Sequence, residues 1–213
     1  MASLDTATLS AWIRRFRDSI SEKRDWLTEL DSAIGDADHG ANMSRGMDAV
    51  IAKIDSGVPD TVDDLLKTVG MTLVSSVGGA SGPLYGTLFL RMGMVAGPAT
   101  ELDAAALGAA LRGGLDGIVA RGKAEAGDKT MFDAMAPAVD AFDAALTAGA
   151  DLEAATAAAA QAAAVGRDAT EPLVARKGRA SYLGERSAGH LDPGAASTTL
   201  LFETLAQAVA EPS

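Results

Sequence analysis

Between residues 30 and 47 the chain reads LDSAIGDADHGANMSRGM, which sets Asp31, Asp36 and Asp38 around a glycine with His39 directly behind them. Carboxylates this close repel: two like charges about 4 Å apart cost about 4 kcal/mol at an effective dielectric of 20, so a cation belongs among them. A plainer reading is that Asp36 or Asp38 caps the following helix with its side chain in water. An EF-hand calcium loop fails at three positions, because Gly40 stands where the third acidic residue belongs, Ala41 at the invariant glycine and Met47 at the closing glutamate. Magnesium needs few carboxylates and completes an octahedral shell with water and phosphate oxygens, so the aspartates imply a bound polyphosphate. His39 suits a contact to a phosphate or a base edge, or the carrying of a phosphoryl group. The neighbouring carboxylates would repel a phosphohistidine, which favours the contact.

Three further stretches carry chemistry. VGGASGPLYGT, residues 77 to 87, combines glycines that let a ligand approach the backbone with Ser81 and Pro83, which suit a helix start whose free amides face an anion. A tight helix-helix turn built of small residues is the competing reading. RGKAEAGDKTM, residues 121 to 131, imitates a Walker A loop, but Asp128 intrudes between Gly127 and Lys129 and no strand precedes it, so that motif is rejected. Met131 can still offer an adaptable apolar surface to a base, or serve the core. The third stretch, 171 to 194, is long, glycine-punctuated and basic in its first half, which suggests an anion-facing lid. His190 within it is expected to make a structural hydrogen bond to the loop backbone.

These groups need a helical frame. Leu9, Ile13, Phe16, Ile20, Leu27, Leu30 and Ile34 recur mostly at three- and four-residue steps, predicting one helix that runs up to the aspartates. Met43, Met47, Val50, Ile51 and Ile54 mark a second, and a third opens at Thr61 with Thr61 and Asp64 as a capping box. Helices near 82–96, 103–121, 130–147, 151–169 and 195–210 follow, with Pro137 expected to kink the sixth. The sum is eight helices with short joints, an all-α bundle of antiparallel neighbours forming one domain over residues 1–213, with no linker.

Composition agrees. Of 213 residues 48% are hydrophobic but only 4% aromatic, and runs such as AATAAAAQAAA favour close helix packing over strands. With 18 basic against 29 acidic residues the net charge is −11, which argues against nucleic acid or an anionic membrane as partner, so any phosphate must be bound locally. The absence of cysteine excludes disulfides, thiolate nucleophiles and Cys-based zinc sites. The N-terminal stretch has no apolar run of the signal-peptide kind and no later segment is long and apolar enough to span a membrane, so a cytoplasmic protein is expected.

Taken together, LDSAIGDADHGANMSRGM, GMTLVSSVGGASGPLYGT, GIVARGKAEAGDKTMFD and ARKGRASYLGERSAGHLDPGA closely resemble the ADP-binding subunits of bacterial dihydroxyacetone kinases and the nucleotide domain of their ATP-dependent relatives. The resemblance covers nearly the whole chain. It implies a barrel-like bundle of eight antiparallel helices with the nucleotide at one end, two Mg²⁺ ions held by Asp31, Asp36 and Asp38, and ADP (or ATP) as cofactor. It places His39, Gly40, Ala41 and Asn42 beside the nucleotide, Ala80 and Ser81 at its phosphates, and Gly122 and Met131 around base and sugar. Arg179 and the turn Asp192, Pro193, Gly194 would close over it, Arg179 stabilising charge on the transferring group. The implied partners are a sugar-binding subunit that holds dihydroxyacetone and a phosphohistidine donor protein of the phosphotransferase system. A chain of this length without a fused sugar domain favours that phosphoenolpyruvate-fed version over the ATP-dependent kinase of dihydroxyacetone or a tetrose such as erythrulose. An ADP-binding adaptor of a transcriptional regulator is the reading from another class, and a homodimer is left open.

Overall fold

The computed structural model describes residues 3–57 and 59–211. Nine α-helices follow in order: α1 Thr6–Glu22, α2 Arg24–Ile34, α3 His39–Asp55, α4 Val62–Ser76, α5 Ser81–Ala96, α6 Ala104–Gly122, α7 Phe132–Thr147, α8 Leu152–Ala169 and α9 Pro193–Ala210. Two short strands, β1 Leu4–Asp5 and β2 Glu101–Leu102, pair antiparallel with Leu4 opposite Leu102. The all-α class holds, and no described helix is long and apolar enough to cross a membrane.

The helix count differs by one because the first expected helix is two. The chain breaks at Lys23 (φ −93°, ψ 9°), inside the charged run Glu22 to Asp25, where no apolar residue registers the change of axis. Ile20 and Leu27, two turns apart, are both buried on either side of the break. Eight of the nine helices nonetheless close a ring, each packed on the next: α1, α3, α4, α5, α6, α7, α8, α9 and back to α1. The extra helix, α2, lies against α3 and α9.

Small residues set how closely the ring packs. A Cβ on Gly70 of α4 would sit 2.8 Å from the Gly86 carbonyl of α5, and one on Gly86 would sit 2.9 Å from that of Gly70. Gly166 of α8 stands where a Cβ would come within 2.2 Å of the Asp133 carbonyl on α7. That carbonyl lies four residues before Pro137, which has no N–H to offer it, and α7 continues through the proline to Thr147, the span expected from the apolar pattern. Inside the ring, Trp12 and Phe89 meet at 5.8 Å between ring centroids, and the Trp12 indole donates to the Leu201 carbonyl at 3.0 Å, joining α1 to α9.

The expected capping box at Thr61 does not form. Its hydroxyl donates to Asp63 Oδ1 at 2.7 Å, and Lys67 takes the other Asp63 oxygen at 2.7 Å. Nor is 171–194 without regular structure: a 3₁₀ stretch spans Arg179–Ser187, with a kink at Gly184, and α9 begins two residues earlier than the apolar pattern implied, at Pro193.

Candidate functional site

A cleft of about 310 Å³ opens at one end of the ring, a size within the range of small-molecule sites. Its lining shows why it sits there. Ile34 ends α2 and Gly122 ends α6, while His39, Ser81 and Pro193 begin α3, α5 and α9, and Met131 directly precedes α7. Four helix N-termini therefore converge on one cavity. Side chains cap the starts of α3 and α9 and bond the Phe132 amide of α7, but α5 has no side-chain cap, so its first amides and the partial positive charge of the four ends form an anion-receptive platform inside a protein of net charge −11.

The acidic turn lies on the cleft wall. Asp31, on the last turn of α2, is buried, Asp38 is half-buried and Asp36 exposed, and one carboxylate oxygen from each lies within 4.8 Å of the others. Local sequence builds this convergence. Ala37 adopts a left-handed φ of 60°, a strained choice for a residue with a Cβ, and folds Asp36 and Asp38 back toward α2. Gly35 is required because a Cβ there would stand 2.0 Å from Asp31 Oδ1. Neither Asp36 nor Asp38 acts as a plain helix cap. Instead Asp31 Oδ2 accepts the amides of Asp38 (2.8 Å) and His39 (3.1 Å), so a residue of α2 caps α3. Opposite, Arg179 Nη2 lies 3.0 Å from Asp36 Oδ2.

Behind the Gly78–Ser81 wall of the cleft runs a buried polar chain. His39 Nδ1 meets Ser81 Oγ at 3.0 Å and Nε2 meets Ser197 Oγ at 2.9 Å, while Tyr85 reaches Ser197 at 2.7 Å and Thr198 at 3.2 Å. Ser197 also lies 3.1 Å from the Gly194 carbonyl, to which its hydroxyl donates. With that proton spent, Tyr85 and His39 must donate to Ser197, leaving Nδ1 to accept from Ser81. Burial pushes the His39 pKa down to about 4 against the pull of Asp31 and Asp38, so the ring is neutral near pH 7. Burial likewise pushes Tyr85 up to about 12 and Asp192 up to about 7, the latter opposed chiefly by the Ala195 amide and reinforced by Asp133. His39 is thus a strut that orients Ser81, with both ring nitrogens engaged. Replacing Ser197 by alanine strands the buried His39 Nε2–H and leaves Tyr85 only its longer contact with Thr198, and a loss of about 1–3 kcal/mol in denaturant unfolding is expected.

The cleft brings together Asp31, Asp36, Asp38, His39, Ala80, Ser81, Gly122, Met131, Arg179, Asp192, Pro193 and Gly194. Gly40, Ala41 and Asn42 lie outside the lining. Gly40 faces α2, where a Cβ would meet the Arg24 carbonyl at 2.0 Å, and Asn42 accepts from Arg45 at 2.7 Å behind Gly78. The lining also includes the apolar Leu84 and Ile118, which helical periodicity alone marks as core, and the charged Lys129, which the failed Walker pattern had set aside. The His190 ring is exposed; its backbone carbonyl accepts a bond from Lys129.

Fold and site together define an all-helical ring protein with a carboxylate cluster and an anion-receptive cavity at one end. Residues 33–207 match the DAK2 domain model, and the chain belongs to that family. It is 44% identical over 98% of its length, and over the whole of the relative, to the ADP-binding subunit DhaL of the phosphoenolpyruvate-dependent dihydroxyacetone kinase of Escherichia coli. It is 31% identical, over 90% of its length and 33% of the relative, to a D-erythrulose kinase of Mycolicibacterium smegmatis. The fold resembles the dihydroxyacetone kinase of C. freundii in complex with AMP-PNP and Mg²⁺, with a TM-score of 0.69 and 24% identity over 92% of this chain and 33% of that one.

Proposed function

We propose that the chain is the ADP-binding subunit of a phosphoenolpyruvate-dependent dihydroxyacetone kinase. One observation carries the reading: three carboxylates and an opposed arginine meet at a cavity onto which four helix N-termini point. The 42–46% identity to three such subunits, against 31–34% to two erythrulose kinases, favours it over the ATP-dependent alternative. ADP is the resident nucleotide, phosphorylated in place by a phosphohistidine donor protein, and dihydroxyacetone held on a partner subunit receives the phosphoryl group. The absence of cysteine and of a membrane-crossing helix among the described residues suits work in the cytoplasm.

Oxygen-only donors at this spacing fit Mg²⁺, and Asp31, Asp36 and Asp38 would hold it as two ions. When bound, the metal neutralises phosphate oxygens and lines up donor and acceptor. The chain itself supplies position and charge. The amides at the start of α5 receive phosphate oxygens, with Ser81 held toward them by His39. Arg179 exchanges its Asp36 contact for the transferring group, and Leu84, Ile118 and Met131 enclose the base without a covalent step.

The test is to purify the chain, denature it and identify the nucleotide released, then to measure exchange against added ATP. Stoichiometric ADP that exchanges slowly is the expected result. A site that exchanges freely with ATP would instead identify the subunit of an ATP-dependent kinase.

A further inference from the structure

Lys129 has an unusual placement for a lysine. It is 1% exposed, its backbone is left-handed at φ 62°, and none of the ion pairs among the described residues includes it. Its ammonium donates instead to three main-chain carbonyls: Thr170 at 2.7 Å, Glu171 at 3.4 Å, and His190. An ammonium has three N–H groups, and all three are used. The acceptors are not scattered. Thr170 and Glu171 are where the chain leaves α8 for the basic loop, and His190 is where it returns, two residues before the Asp192 turn.

Two other bonds join the same feet: Gly189 N–H donates to the Glu171 carbonyl at 2.8 Å and Asp192 N–H to Thr170 Oγ1 at 3.0 Å. Both converge on the residues that Lys129 grips. A buried ammonium and a left-handed non-glycine backbone are each costly, so the surroundings must impose them. They do: Asp128 accepts the Glu125 amide at 2.8 Å and holds Arg176 Nε at 3.0 Å, and Asp133 accepts the amides of Gly127 (2.5 Å) and Thr130 (2.9 Å). Residue 129 is turned inward by bonds on both its flanks.

We propose that Lys129 is a positioning residue that clasps the two feet of the 171–192 loop, so that Arg179 and the Asp192–Gly194 turn face the cleft, and that its ammonium makes no phosphate contact. This lysine therefore serves the cleft through the loop, although the sequence around it imitates a phosphate-binding motif. The proposed consequence for ligand retention rests on the nucleotide reading; the clasp itself does not.

The test is amide hydrogen exchange on the full-length chain without nucleotide, comparing wild type with Lys129→Met, which keeps the apolar stem and removes the donors. Exchange at Gly189 and Asp192 is expected to rise about tenfold or more while α4 to α6 stay as protected as before. Unchanged exchange at the loop feet, or an equal rise throughout the ring, would overturn the clasp. Should the variant not fold, the wild type decides. Gly189 and Asp192 amides must then open with one shared free energy and denaturant dependence, and two unrelated values would refute a single clasp. With ADP added, Lys129→Met should also release nucleotide faster. A wild type that binds no ADP would sink the nucleotide reading while leaving the exchange result intact.

Discussion

Asp36→Asn is expected to lower Mg²⁺-dependent ADP retention by about three orders of magnitude while leaving helical circular dichroism and ligand-free stability almost unchanged. The magnitude follows from Coulomb attraction, since removing one carboxylate about 4 Å from a cation forfeits at least about 4 kcal/mol at an effective dielectric of 20. The stability should hold because Asp36 is exposed and its ion pair with Arg179 is a surface contact worth little. Asp31→Ala makes an instructive control. It removes a proposed metal ligand and also the acceptor for the Asp38 and His39 amides, so it should lose both retention and stability. Equilibrium dialysis of ADP at varied Mg²⁺, set beside thermal unfolding, separates the two. Full retention in Asp36→Asn would remove the metal assignment and with it the kinase reading.

Arg179→Gln should behave in the opposite way, keeping ADP and losing transfer. Arg179 is 67% exposed beside the acidic turn and ties down no core element, so its loss costs the fold little. A guanidinium that meets a phosphoryl group in flight stabilises charge present only in the transition state, which is typically worth about 10³-fold or more. Arg179→Lys should rescue poorly, since a point charge does not reproduce a planar fork of donors. Dihydroxyacetone phosphate formation from phosphoenolpyruvate, with the donor protein and the sugar-binding subunit supplied, is the measurement. A variant that transfers at the wild-type rate would reassign Arg179 to a purely structural pairing with Asp36.

The sequence by itself determined the helical class, most helix positions and the acidic cluster, because each is written in short-range pattern. A 3.6-residue apolar period marks a buried face wherever it lies, and three aspartates within eight positions around a glycine restrict what can balance them. The same locality explains the misses. The break at Lys23 falls in a charged run where no apolar residue keeps the period, and the failed capping box at Thr61 turned on Lys67, which competes for Asp63.

Only the tertiary structure decided what the side chains do with their partners. His39 reads as a ligand contact until Ser81 and Ser197, from residues far along the chain, take both ring nitrogens. Gly40 and Asn42 adjoin the aspartates in sequence yet face α2 and the Gly78 turn, since successive helical residues point in different directions. Lys129 finds its acceptors 41, 42 and 61 residues away. The physical reason is common to all three. A hydrogen bond is a relation between groups that the ring closure of α1 on α9 brings together, and no local pattern records which distant carbonyl or hydroxyl that closure will deliver.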